Sequence, residues 1–143
     1  MKTAVYDMRR DGWNDYFQLF VSPNAKAMRR LIASKFAKWG CPLPTDGWTE
    51  TRGMFKPISS DDGSFGCMFL AEDGLGVSIV SHECLHAAMA HERFILRFGM
   101  NYGPQIGNDE ERLCYFFDNC LSGVYATLRE NGHVKAYEKG IKR

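Results

Sequence analysis

The sequence predicts an α+β fold, with a small mixed or antiparallel sheet of about three strands and three main helices packed on it. Apolar residues recur at helical spacing in three long segments, residues 23–39, 76–98 and 108–129. Two stretches, Tyr16 to Val21 and Phe65 to Ala71, are dense in aromatic and aliphatic residues and too short for helices of the core. The resulting order is strand, helix, strand pair, helix, helix.

At 143 residues the chain reads as a single domain, with residues 1–14 and 132–143 as loosely ordered ends. Hydrophobic residues make up 45% and charged residues 24%, which is ordinary globular composition. The net charge of +1 supplies no overall attraction to nucleic acid or to an anionic membrane. The five cysteines, Cys41, Cys67, Cys84, Cys114 and Cys120, are an odd number with no Cys-x-x-Cys pair, the pattern of reduced thiols in a cytoplasmic protein. The N-terminus lacks the apolar core of a signal peptide, and no run of about 18 apolar residues is present to span a membrane.

Taken in order, Tyr16 to Val21 is the first strand. Ser22-Pro23 then gives a helix start, Ser as N-cap and Pro in the first turn. Met28, Leu31, Ile32, Phe36 and Trp39 form the apolar stripe of that helix, and Gly40 ends it. Its other face carries Lys26, Arg29, Arg30, Lys35 and Lys38 without an acid, so residues 25–39 offer a basic surface; the near-zero net charge argues for a solvated face rather than a nucleic-acid site. Residues 41–52 form a loop whose Trp48 is expected against the core. Met54 to Ser59 reads as a short strand weakened by Pro57, Asp61-Asp62-Gly63-Ser64 as a hairpin turn, and Phe65 to Ala71 as a strand covered on both faces, with Phe65, Cys67, Phe69 and Ala71 on one of them. A long helix follows to about Phe98, where Gly99 stops it, and a Gly-rich loop leads to the last helix, closed by Asn131-Gly132.

The most informative stretch is Val80 to Ala88, which contains His82-Glu83-Cys84-Leu85-His86, the His-Glu-x-x-His pattern. On a helix, residues four apart share a face, so His82 and His86 can grip one zinc ion. Zinc lowers the pKa of a bound water towards about 7, and the carboxylate of Glu83, beside the first ligand, can take its proton. Cys84 lies about 200° around the helix from either histidine and is expected to be a buried thiol, not a ligand.

Catalytic zinc takes three protein ligands. His91 is nine residues after His82, on the opposite side of the helix, and Glu92 lacks the Gly turn that would bring it round; both are expected at the surface. The remaining donors open the last helix: Asp109, Glu110 and Glu111. Glu111 is the preferred third ligand and Glu110 the fallback, although with Asn108 as N-cap Glu111 is also the capping-box residue. Tyr115, four residues on, is the candidate catalytic residue that would steady the oxyanion, ahead of Tyr102 and His91.

With these residues in place the chain resembles, in a minimal form, the gluzincin branch of zinc metallopeptidases, and more closely the small metallopeptidase-like proteins of phages and prophages. The blocks that carry the second likeness are Val21-Ser22-Pro23, Ala27-Met28-Arg29-Arg30, Gly66 to Leu70, Val80 to Ala88 and Asp109 to Tyr115, within residues 15–128. The resemblance implies a zincin-like fold, a Zn2+ cofactor held by His82, His86 and Glu111, and hydrolysis of a peptide bond in a cytoplasmic protein. For a phage protein the substrate would be a host factor in the host cytoplasm. In zinc peptidases a sheet edge pairs with the extended substrate, and Phe65 to Ala71, which runs into the motif helix, is the expected edge. The competing readings are a zincin-like, non-catalytic protein that binds a host protein and, third, a nucleic-acid partner of the basic helix.

Overall fold

The computed structural model describes residues 2–9, 15–98 and 109–134. They form a four-stranded mixed sheet and three helices: β1 (Ala4–Arg9), β2 (Tyr16–Ser22), α1 (Ala25–Trp39), β3 (Gly53–Pro57), β4 (Ser64–Ala71), α2 (Val77–Phe98) and α3 (Asp109–Glu130). The α+β class is as the sequence predicts, with one strand more than expected. The sheet order is β1-β2-β4-β3. The β2–β4 pair is parallel and the two outer pairs are antiparallel.

The extra strand is β1, in the stretch read as a loose lead-in. Its residues alternate between half-buried and exposed. That is the pattern of an edge strand with one face on the protein, and its polar Asp7 and Arg9 disguise it in sequence. At the other end of the chain, the His133 ring binds the Tyr6 hydroxyl at 2.8 Å and Glu72 at 2.6 Å. Val134 is buried. The C-terminal segment is therefore pinned as far as Val134; residues 10–14 and 135–143 lie outside the described residues.

The start of α1 differs from the expected Ser22-Pro23 cap. Ser22 is the last residue of β2 and fully buried, and the N-cap is Asn24, whose Oδ1 accepts the Ala27 N–H at 2.8 Å. Asn and Ser cap equally well, and the strand's pairing with β4 decides between them. Gly40 ends the helix with φ +67°, where a side chain would be strained. The basic face of α1 is partly used within the fold. Arg29 donates to the Thr51 carbonyl, and Lys35 sits over the Phe20 ring, 4.6 Å from its centre.

Two cores lie on the two faces of the sheet. Met28, Ile32 and Phe36 of α1 pack on Phe20, Cys67, Phe69 and Ala71, with Trp48 half-buried beside them. On the other face Leu19, Val21, Met68 and Leu70 meet Val80, Cys84, Ala87, Ala88 and Phe94 of α2, and α3 closes over with Phe116, Cys120, Val124 and Leu128. The single alternation expected for Phe65 to Ala71 breaks at its start. Between Tyr16 and Gln18 of β2 the partner moves from Ser64 to Cys67, so β4 carries one extra residue. That bulge turns Phe65 to the α2 face while Cys67 and Phe69 keep the α1 face.

Pairing on both sides makes β4 a central strand, which corrects the expectation that Phe65 to Ala71 is the edge. The free edge beside the motif helix is β3. Ile58 N–H donates to the Phe65 carbonyl at 3.0 Å. By alternation Lys56 and Met54 also face β4, and the N–H of Phe55 points away from it. Pro57, which has no N–H, falls on the same outward side, where none is missed.

Candidate metal centre

Helix α2 buries Val80, Cys84, Ala87, Ala88, Phe94 and Ile95 along one stripe. Its alanines let the helix lie close to the sheet and to α3. The opposite stripe faces solvent, and His82 and His86 are both exposed on it. Their Nε2 atoms are 3.2 Å apart, with the rings nearly perpendicular at 77°. Two nitrogens bound to one tetrahedral zinc at about 2.0–2.1 Å would lie about 3.3 Å apart. The separation matches two ligands of one ion and equally an N–H···N bond between the rings. Partial burial, the neighbouring His82 and the Arg93 charge all lower the pKa of His86. A neutral imidazole with a free lone pair is the form that binds metal.

Glu83 points elsewhere. It is 6% exposed and lies in the crevice between α2 and the free edge of β3. Its carboxylate accepts the outward N–H of Phe55. Burial raises its pKa, opposed by His82 and by that N–H. The approach is close because residue 53 has no side chain: a Cβ there would sit 2.9 Å from Cγ2 of Ile79 and 3.2 Å from Cγ of Glu83. The candidate base is therefore held between the histidine pair and the sheet edge.

Among the described residues no group of three His, Cys, Asp or Glu side chains is placed to hold a metal, so Glu111 is not brought to the histidine pair. Glu110 and Glu111 are exposed on the first turn of α3. Tyr115 is 61% exposed on the same helix. Asn108, the expected N-cap, and Tyr102 lie outside the described residues.

Of the two residues expected at the surface, His91 is buried and Glu92 is partly exposed. Glu92 forms a two-point pair with Arg112 of α3, at 2.7 and 2.8 Å. His91 is fully buried, bonded to the equally buried Asp15 and stacked on Phe116 at 4.1 Å. Its position opposite His82 is as the helical spacing requires. It is buried because α2 is covered by both the sheet and α3, which its sequence alone does not show.

Cys84 is fully buried, facing α3, as its angle predicts. A hydrogen bond with Cys84, and then burial, push the Cys120 thiol up. Cys84→Ala is expected to leave zinc binding unchanged and to lower stability by about 1–2 kcal/mol through the small cavity it opens. Metal content and Tm check this together; a variant that keeps its Tm but loses zinc would make Cys84 a ligand.

Two features of this site were not singled out from sequence. The Phe55 N–H is an edge donor only once β3 is known to be the edge. Arg93 was legible, since it follows His86 by seven residues and so returns to the same face. No family model, curated protein or solved structure matches the chain. Among the described residues no helix is long and apolar enough to cross a membrane.

Proposed function

We propose that this protein is a zinc-dependent metallopeptidase of zincin-like build that cleaves an extended segment of another protein. The observation that carries the reading is the convergence of His82 and His86 at 3.2 Å on an exposed helix face, with Glu83 between them and a free sheet edge. When bound, zinc would polarise the scissile carbonyl and acidify a water. The chain's own part is threefold. His82 and His86 supply neutral nitrogen ligands. The outward N–H of Phe55 on β3 offers a strand-like hydrogen bond to a substrate carbonyl. Glu83 takes the proton from the attacking water. A peptide that occupies the Phe55 N–H displaces the carboxylate now resting there, so substrate pairing and release of the base are linked.

The proposed third ligand is Glu111, with Glu110 next. Either would have to come from the first turn of α3, which packs beside Glu92 through Arg112, six residues beyond His86 on α2. The resemblance to phage proteins supports a host protein as the substrate and the host cytoplasm as the place of action. The second reading is a protein of the same build that binds a host protein without cutting it. It is favoured by the finding of only two converging ligands among the described residues. Incubating the zinc-loaded protein with a digest of bacterial proteins separates the two. New termini that vanish on adding a chelator support hydrolysis; stable capture without new termini supports binding alone. A nucleic-acid role would require tight, salt-sensitive DNA binding by α1.

A further inference from the structure

A groove of about 340 Å³ opens between the end of β3 and α2, lined by Pro57, Ser59, Phe65, Ala90, Arg93 and Phe94. That volume is enough for one or two side chains. Pro57, Phe65, Ala90 and Phe94 line it with apolar groups, Ser59 is polar, and the one charge, Arg93, is exposed to solvent. The ion pairs among the described residues do not include Arg93, whereas its neighbour Glu92 is taken by Arg112. Seven residues is about 20° short of two full turns, so Arg93 shares the face of the histidine pair.

We propose that this groove selects peptides carrying a carboxylate near the bond to be cut, and that Arg93 is the residue that reads it. The inference rests on the peptidase reading and names its substrate class. The groove continues the crevice between β3 and α2, so a peptide laid along the free edge of β3 past His86 would enter it. Two turns of helix rise about 10.5 Å, and helical side chains lean back towards the N-terminus. The guanidinium therefore reaches a carboxylate about one to three extended residues, at 3.3 Å each, from the histidines. A guanidinium fork matches a carboxylate in two-point geometry. Two sources present that group: an Asp or Glu side chain, or the free C-terminus of a short peptide.

The test uses the full chain loaded with zinc and a digest of bacterial proteins, with the new termini sequenced. Cut sites should be enriched in Asp or Glu at one fixed offset, or should lie at a fixed distance from the C-terminus; the first outcome identifies a side-chain carboxylate, the second a terminal one. Arg93→Gln should abolish the enrichment with unchanged Tm, and Arg93→Lys should keep part of it. Binding gives an independent readout. The best cut peptide, made with Asp or Asn at that offset and with an acid or amide end, is titrated by fluorescence anisotropy onto zinc-loaded Glu83→Gln. The carboxylate form should bind roughly tenfold tighter or more. Adding Arg93→Gln should remove that difference while neutral peptides bind as before. Cleavage without carboxylate enrichment, or a preference that survives Arg93→Gln, overturns this inference and leaves the peptidase reading standing. No cleavage of any peptide takes both down.

Discussion

Glu83→Gln is expected to bind zinc as the parent does and to lose on the order of 10²-fold or more in peptide hydrolysis. Glutamine keeps the size and the acceptor oxygen, so it can still take the Phe55 N–H that the carboxylate now accepts. It cannot accept a proton from the attacking water. The histidines are separate side chains on the exposed stripe, so nothing in the substitution disturbs their 3.2 Å approach. Metal content by mass spectrometry and hydrolysis rate give the split directly. A variant that retains most of its activity would mean that Glu83 is an edge-capping residue and that another group moves the proton.

His82→Ala and His86→Ala should each lose bound zinc, with a fall in affinity larger than the 10–100-fold typical of outer-shell partners. The same change appears in stability. With zinc about a hundredfold above its dissociation constant, the parent gains about 2.7 kcal/mol, a rise of roughly 5–10 °C in Tm, and the variants should gain almost none. Both histidines are exposed, so their removal opens no cavity and the metal-free Tm should hardly move. Glu111→Ala should weaken zinc strongly and Glu110→Ala should not. Normal zinc uptake by Glu111→Ala would move the third ligand to Glu110 or Asp109. A parent that takes up no zinc in the same titration would end the peptidase reading in favour of the binding one.

The backbone N–H of Phe55 holds the Glu83 carboxylate at the sheet edge. A buried carboxylate needs partners. Here one partner is the outward backbone N–H of Phe55 on the free edge of β3. The close approach depends on Gly53, where a Cβ would press on Ile79 and Glu83 together. The position of the Glu83 carboxylate is thus set as much by the edge strand as by the helix that carries it.

What the sequence by itself determined is local. Helical spacing put His82 and His86 on one face, set Cys84 and His91 away from it, and gave α2 and α3 to within a residue or two of their bounds. Gly40 and Gly132 marked chain reversals because positive φ is written in a single residue. The tertiary structure decided everything that depends on which segment lies beside which. β4 became central and β3 the free edge, which turned the Phe55 N–H towards Glu83. The bulge in β4 moved Phe65 to the other core. His91 went inside because both the sheet and α3 cover that side of α2, and β1 formed because β2 offered it an edge. Helix periodicity is fixed by hydrogen bonds four residues apart and can be read from a short window. Strand neighbours are joined by bonds between residues far apart in the chain, and no local pattern records which edge is left open.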